Sequence, residues 1–323
     1  MADNAVRRFP LVEVTLGQLS ALLSPFLSGR GIGRVEHVDG GLTNTILRVW
    51  PADGSSGLLV RIFAGGRAPW EKERKILTRV RASLPVSEVL LANDGNGSLP
   101  YPSLVCRWIE GITLNSFRKR TSAVELLTLA EPLGRLVARI SGTPAAGDLG
   151  LEADWGTPVS SLEALLSLSR EQLLRGRARM RLGDALADAL WRRLSAEAER
   201  FPGLAPDSLV HGDLGGRNIL VAPDGDARWR IAGLLDWEAA FTGWALWDVG
   251  SLFRYPKRFG EAFRTGFERG YSDAGSPLPA KWWETARLLD ATRQVSTLDA
   301  EREQPTVFAD CRELLALLVQ DDG

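Results

Sequence analysis

The spacing of apolar and polar positions divides the chain into stretches of different period. Leu16, Leu19, Leu22 and Leu23 recur at helical intervals behind Thr15-Leu16-Gly17-Gln18, where Thr and Gln stand three apart as in a capping box. A helix is therefore expected from residue 16, ended by Pro25 and the glycines at 29, 31 and 33. From 34 to 63 the pattern turns strand-like. Val35-Glu36-His37-Val38, Thr45-Ile46-Leu47-Arg48-Val49-Trp50 and Gly57-Leu58-Leu59-Val60-Arg61-Ile62-Phe63 are separated by Asp39-Gly40-Gly41 and Pro51-Ala52-Asp53-Gly54 turns, which predicts an antiparallel meander. A helix over 69–81 follows, with Ile76, Leu77 and Val80 apolar. Two further strands, 86–91 and 104–109, flank the turn Asn93-Asp94-Gly95-Asn96-Gly97. After Gly111 strand signals almost vanish. Stretches 126–140 and 162–194 have helical periodicity, and the second is long enough for two helices. Strand signals return at Ser208-Leu209-Val210, Ile219-Leu220-Val221 and Ile231-Ala232-Gly233-Leu234-Leu235, and from Trp244 onward the pattern is helical again. This order predicts an α+β chain with a small, antiparallel, β-rich N-terminal lobe (residues 1–105), a connector (106–111) and a larger, mainly helical C-terminal lobe (112–323). No internal repeat is present.

Composition narrows the function classes. With 323 residues and 45% hydrophobic content, a large core is available, and the length favours two lobes. The net charge is −1 and no long basic block exists, so no nucleic-acid partner is expected; Arg118-Lys119-Arg120 reads as a solvated helix face. Two distant cysteines, Cys106 and Cys311, lack metal-ligand spacing and fit a reducing compartment. The start of the chain is not built like a signal peptide and no apolar run reaches spanning length, so a soluble, cytoplasmic protein without a membrane partner is expected. With only His37 and His211, a histidine metal cluster is excluded, and with five lysines, arginine carries nearly all the positive charge.

One stretch concentrates polar chemistry between apolar ends: Leu209-Val210-His211-Gly212-Asp213-Leu214-Gly215-Gly216-Arg217-Asn218-Ile219-Leu220-Val221. A second, Leu234-Leu235-Asp236-Trp237-Glu238, again opens an apolar run onto a carboxylate. Taken singly, Asp and Asn are favoured in turns for local hydrogen-bonding reasons. Together, Asp213, Asn218 and Asp236 suit a magnesium–nucleotide site. Phosphoryl transfer asks a protein for positioning and charge neutralisation, and Mg²⁺ takes a few hard oxygen ligands such as Asn218 and Asp236. Asp213 suits the alignment of an acceptor hydroxyl, because a carboxylate of ordinary pKa is a weak base. His211 reads as a loop-fixing residue. Gly29-Arg30-Gly31-Ile32-Gly33 precedes a strand and opens no helix, so it is no dinucleotide fingerprint, and no Gly-x4-Gly-Lys-Ser/Thr loop exists.

These residues carry a family resemblance. His211-Gly212-Asp213 followed by Asn218-Ile219-Leu220-Val221 resembles the catalytic loop of the aminoglycoside phosphotransferase and choline-kinase-like enzymes, whose fold is related to that of protein kinases. Leu235-Asp236-Trp237-Glu238 resembles their metal-binding segment, and Gly243-Trp244-Ala245-Leu246-Trp247-Asp248-Val249-Gly250 their glycine-led turn ending in a buried aspartate. Gly40-Gly41-Leu42-Thr43-Asn44 resembles the turn over the nucleotide phosphates. Arg61 stands where many members carry lysine, and Glu73 where a helix glutamate pairs with that cation. Cys106-Arg107-Trp108 falls in the hinge whose backbone meets adenine. The resemblance spans roughly residues 30 to 275. It departs at Ser141, where relatives often have histidine, and at Arg217, which reads as one half of a surface ion pair or as a stabiliser of phosphoryl charge.

The resemblance implies a protein-kinase-like two-lobe fold that takes ATP or GTP with Mg²⁺ and transfers the γ-phosphoryl group to a hydroxyl of a small molecule. The acceptor would be an antibiotic or a sugar-bearing metabolite, with choline, an amino acid or a simple sugar as alternatives. A catalytically silent nucleotide-binding member and a metal-dependent hydrolase are the competing classes. Trp237, Trp244 and Trp282, with Glu238 and Glu284, are acceptor-contact candidates, as are Asp290 and Asp248; for Asp248 a structural role, capping or tying down the catalytic loop, is favoured, and core packing competes for the tryptophans. A strongly polycationic acceptor would favour a dense acidic run, which the helical lobe lacks. A monomer or homodimer is expected.

Overall fold

The structure is a computed structural model that describes residues 7–38, 43–143, 161–198, 207–225, 228–275 and 277–320. The chain divides into two compact units, one of Ala2–Gly111 with Ala232–Glu238 and one of Ile112–Ile231 with Ala239–Gly323.

In the first unit, helix α1 (Leu16–Leu27) begins at Thr15, which accepts from the Gln18 N–H while Gln18 reaches back to the Thr15 N–H. The helix does not stop at Pro25 as the sequence suggested. Proline leaves the Ala21 carbonyl without its i+4 donor, and the Ser24 hydroxyl donates to that carbonyl at 3.0 Å, so the helix runs on to a left-handed Ser28. Strands β1 (Ile32–His37), β2 (Thr45–Pro51) and β3 (Leu58–Ile62) form the expected meander. After helix α2 (Arg67–Val80) come β4 (Val89–Asp94) and β5 (Pro102–Arg107). The antiparallel sheet has the order β1-β2-β3-β5-β4. Leu47 and Val49 of β2, Val60 and Ile62 of β3 and Val105 of β5 share one buried cluster with Leu19, Leu22, Leu23 and Leu27 of α1. Each such side chain withdrawn from water contributes about 1.5–3 kcal/mol. Helix α2 buries Trp70, Glu73, Ile76, Leu77 and Val80, a stripe in which Glu73 alone is charged. Segment 232–238 joins this unit through the Leu234 N–H, which donates to Pro85 O at 2.7 Å.

The second unit begins with β6 (Ile112–Thr113), α3 (Leu114–Arg118), α4 (Ala123–Leu127) and α5 (Ala130–Ser141). The periodic stretch 162–194 is three helices rather than two: α6 (Leu162–Leu174), α7 (Arg177–Leu182) and α8 (Asp184–Ala198). Gly176 and Gly183 punctuate it. A Cβ at Gly176 would lie 2.8 Å from Gln172 Cα, and Gly183 has φ +84°. Then come β7 (Ser208–Val210), β8 (Ile219–Pro223), β9 (Trp229–Leu234), β10 (Phe241–Gly243), α9 (Leu246–Leu252), α10 (Glu261–Ala274), α11 (Trp282–Asp299) and α12 (Pro305–Gln320). Strand β10, unforeseen in the sequence, pairs antiparallel with β7, and β6-β8-β9 form a second small sheet. Helices α5 and α10 approach closely because Gly134 and Gly270 face the partner's backbone; a Cβ at Gly270 would sit 2.7 Å from Glu131 Cα. Among the described residues no helix is long and apolar enough to cross a membrane.

Candidate active site

The loop after β7 is fixed from below by one carboxylate. Asp248, buried in the first turn of α9, accepts the His211 N–H at 2.7 Å and the Gly212 N–H at 3.0 Å, the tie-down role expected of it. Burial raises its carboxyl, while His211 and those two N–H groups act the other way. Gly212 has φ +81°, and any Cβ there would collide with the Ala239 carbonyl, which β10 brings alongside β7. Only glycine satisfies both conditions. His211 is fully buried and its Nδ1 accepts from the Asp213 N–H at 3.4 Å, so it serves the loop's shape.

Asp213 and Asn218 lock together. Asn218 Nδ2 donates to Asp213 O at 2.9 Å and to Asp213 Oδ2 at 3.1 Å, which fixes the carboxamide with its oxygen as the remaining polar atom. Two guanidinium groups hold the Asp213 carboxylate: Arg217 Nη2 lies 2.5 Å from Oδ2 and Arg293 Nη2 2.9 Å from Oδ1. Burial pushes this carboxyl up, but Arg293, Arg217 and the more distant Arg254 together hold it well below the ordinary carboxylate range. At neutral pH Asp213 is therefore an ionised, oriented acceptor of a hydrogen bond. Arg217 does form an ion pair with its side chain more than half exposed, and its partner is Asp213 itself.

Arg293 was not found by sequence reasoning. Its only signal is a polar run, Asp290-Arg293-Gln294, on the otherwise apolar face of α11. Asp290 is not poised for an acceptor. It is 2% exposed and takes Arg254 through Nε at 2.9 Å and Nη2 at 2.6 Å, with Gln294 Nε2 at 2.8 Å. Arg293 and Arg254 repel each other, and burial, then that repulsion, lowers the Arg293 pKa against the pull of Asp213 and Asp290.

The first unit holds a second charged cluster, built on the expected Arg61–Glu73 pair. Arg61 Nη1 lies 2.9 Å from Glu73 Oε1, while Nη2 lies 2.6 Å from Asp236 Oδ1 and 3.2 Å from Glu238 Oε2. Asn44 Nδ2 donates to Glu238 Oε2 at 2.9 Å and the Thr43 hydroxyl to Oε1 at 3.2 Å. Glu238 is thus engaged by Arg61, Thr43 and Asn44 instead of standing open to an acceptor. Asp236 adopts a left-handed backbone, φ +66°, unusual for a residue with a side chain. Gly40 and Gly41 lie outside the described residues.

Three carboxylates surround one guanidinium. Burial, opposed by Arg61 and reinforced by Asp236 and Glu238, pushes Glu73 up to about 7. Burial and then Asp236 raise Glu238. Arg61 is held above its ordinary value because the carboxylates outweigh its burial. Among the described residues the buried Arg61 Nε, Glu73 Oε2 and Asn44 Oδ1 have no hydrogen-bond partner. The surplus negative charge and hard oxygen donors fit a divalent cation. Among the described residues no group of three or more His, Cys, Asp or Glu side chains has metal-binding geometry, but Mg²⁺ needs few protein ligands.

The remaining expectations separate. Cys106 is buried, and burial with nearby Glu73 pushes its thiol up to about 12, so it is an inert neutral side chain. Around the connector, the Arg107 N–H donates to Glu88 O at 2.9 Å, its carbonyl accepts from Ser87, and the Trp108 N–H points at Gly57 O, 3.4 Å away. These three backbone groups are engaged within the unit. The Trp108 ring lies 4.2 Å from the Arg48 guanidinium carbon. Trp237 and Trp244 are 0% and 2% exposed, and Trp282 packs on Trp283 and Phe267, so core packing and not an acceptor wall accounts for them. Glu284 is exposed in the first turn of α11.

Solved structures share this fold at low sequence identity. A GDP and kanamycin complex of APH(2")-IIia aligns with a TM-score of 0.71 and 19% identity over 96% of this chain and 100% of that one. A ternary complex of aminoglycoside phosphotransferase APH(4)-Ia with ADP and hygromycin B gives 0.64 and 18%, over 94% and 97%. Choline kinase LicA from Streptococcus pneumoniae gives 0.59 and 17%, over 93% and 98%. These likenesses establish a kinase-like fold, with the antiparallel five-stranded sheet in the N-terminal lobe. No curated protein sequence matches the chain. The family model described as "APH: Phosphotransferase enzyme family" matches residues 34–312, and the chain belongs to that family.

Proposed function

We propose that this phosphotransferase moves the γ-phosphoryl group of ATP or GTP, in a magnesium-dependent reaction, to a hydroxyl of a small molecule. The observation that carries the reading is the Asp213–Asn218 lock, an ionised carboxylate and a carboxamide held rigidly by Asp248, Arg217 and Arg293. Asp213 aligns the acceptor hydroxyl, and since its carboxyl is a weak base, the hydroxyl proton reaches it late in the transfer. Arg61, steadied by Glu73, draws the α- and β-phosphates. Asn218 and Asp236 would hold Mg²⁺, which when bound supplies charge neutralisation to the polyphosphate. Thr43 and Asn44 would lie on the phosphate side of the nucleotide, and Cys106 to Trp108 on the side nearest the base.

The acceptor is a hydroxylated antibiotic or sugar-bearing metabolite, and the protein works in the cytoplasm in resistance or self-protection. The nucleotide and aminoglycoside complexes among its structural neighbours support nucleotide use and an acceptor of this size. To test this, the protein is incubated with MgATP or MgGTP and a panel of antibiotics, sugars and amino alcohols. A product heavier by one phosphoryl group is expected with the wild type and lost with Asp213→Ala. Nucleotide breakdown independent of any acceptor would make the protein a hydrolase. Absence of both nucleotide binding and transfer would make it catalytically silent.

A further inference from the structure

The unit that carries Asp213 gathers more positive than negative charge around its loop. Arg217, Arg293 and Arg254 answer the carboxylates of Asp213 and Asp290, and two further arginines, Arg118 and Arg258, pair with no carboxylate among the described residues. We infer that the acceptor carries an anionic oxygen group, a carboxylate or a phosphate, in addition to its hydroxyl, and that Arg118 and Arg258 bind that group. The inference rests on Asp213 aligning the hydroxyl, as proposed above.

The two arginines sit on the segments that flank the loop. Arg118 ends α3, and α3 is fastened to the loop at its other end, where the Asn115 N–H donates to Gly216 O at 2.9 Å. Phe117 anchors the helix by packing on Trp229 at 4.5 Å. Arg258 closes the turn Pro256–Arg258 just after Arg254, the residue whose ion pair with Asp290 adjoins Arg293 and through it Asp213. The two segments thus reach the loop at two places: α3 meets Gly216 through Asn115, and Arg254, four residues before Arg258, adjoins Arg293 and through it Asp213. Arg118 and Arg258 feel each other's charge: burial first, then Arg258, lowers the Arg118 pKa.

Both side chains are partly buried, and among the described residues neither enters an ion pair. Arg118 Nε is buried with no hydrogen-bond partner among the described residues. Arg258 is held over the Tyr255 ring, 3.5 Å from its centroid, and the Tyr255 hydroxyl donates to the Asp310 carboxylate. Two half-buried like charges side by side are unfavourable unless an anion joins them. Guanidinium forks match carboxylate and phosphate oxygens, so either anion meets the same donors. The same surplus of arginine disfavours a polycationic acceptor.

Two measurements test this. Inorganic phosphate is titrated calorimetrically into protein saturated with a non-hydrolysable ATP analogue, so that the nucleotide site is occupied. The wild type should bind, and Arg118→Gln/Arg258→Gln should bind about tenfold or more weakly, with Arg118→Lys/Arg258→Lys between them. Equal binding by wild type and the Gln pair, with melting temperatures showing both folded, overturns the inference. In parallel, kcat/KM is measured with MgATP for matched acceptors: glucose, glucosamine, glucuronate and glucose 6-phosphate. An anionic member should lead, with its KM raised about tenfold by either Gln variant; glucuronate against glucose 6-phosphate separates carboxylate from phosphate. Preference for the neutral or cationic member overturns the inference. Phosphate binding that depends on both arginines, with no transfer to any acceptor, leaves the anion site standing and removes the proposed reaction instead.

Discussion

Arg293→Gln separates the roles of the two guanidinium groups on Asp213. The wild-type pair is well shielded, with side-chain exposures of 16% for Arg293 and 15% for Asp213. Removing one partner of a buried ion pair costs about 3–5 kcal/mol, because the other charge is left uncompensated. Two features place this case at the lower end. Arg217 stays on Asp213 Oδ2, and the repulsion between Arg293 and Arg254 disappears. A loss of about 3 kcal/mol in a unit of this size lowers the melting temperature by roughly 6–12 °C. The reading is thermal unfolding followed by tryptophan fluorescence.

The pH dependence sharpens that test. The Asp213 carboxyl is held below its ordinary value, so its contribution to stability is present above the ordinary carboxylate range and is lost as pH falls through and below it. Arg293→Gln lets burial raise that carboxyl, so the variant has less of this contribution to lose. The deficit should be widest near pH 7 and narrow below about pH 4. Asp213→Asn should also destabilise, since it leaves Arg293 unpaired beside Arg254. The double variant should recover about 1–3 kcal/mol relative to the sum of the singles. A melting temperature within about 2 °C of wild type at pH 7, or a deficit that does not narrow on acidification, would refute the claim that Arg293 holds Asp213 ionised.

Two other outcomes follow from the same geometry. Glu73 is raised from 4.5 to about 7, so in metal-free protein its contribution to stability is full below pH 4.5 and disappears as pH rises through 7. That span corresponds to about 3 kcal/mol; Glu73→Gln should flatten the melting temperature against pH between 5 and 8, and parallel curves would show that burial does not govern this group. Gly270→Ala would place a Cβ 2.7 Å from Glu131 Cα and force α5 and α10 apart, costing about 1–3 kcal/mol. Its signature is a lowered melting temperature with kcat little changed at 20 °C, and an unchanged melting temperature would mean that the helices do not meet there.

What the sequence disclosed depended on range. The Thr15–Gln18 box, the meander of β1 to β3 and the loop from His211 to Asn218 are written in residues a few positions apart, and their physics is local. Arg61 and Glu73 were legible through the family resemblance, which places a cation on that strand and a glutamate on that helix, and each stands as a charge within an otherwise apolar segment. The passage of α1 through Pro25 was hidden because it turns on a serine hydroxyl replacing an amide donor. Arg293 lies 80 residues from Asp213, and nothing along the chain marks which buried arginine will meet which carboxylate.

Arginine at position 61, where the resembled family often has lysine, acquires a physical reason from its partners. The two ends of its fork serve three carboxylates: Nη1 takes Glu73, and Nη2 takes Asp236 and Glu238. A lysine ammonium is a single point charge and could not span that set from one rotamer. The consequence is competition. Nη2 is committed to Asp236 at 2.6 Å, so a phosphate drawn to Arg61 must displace or share that bond, and the carboxylate so released is the one suited to a cation. In the proposed reaction nucleotide and metal would therefore be coupled through one guanidinium, and Arg61→Lys should weaken the dependence of nucleotide affinity on Mg²⁺ before it abolishes binding.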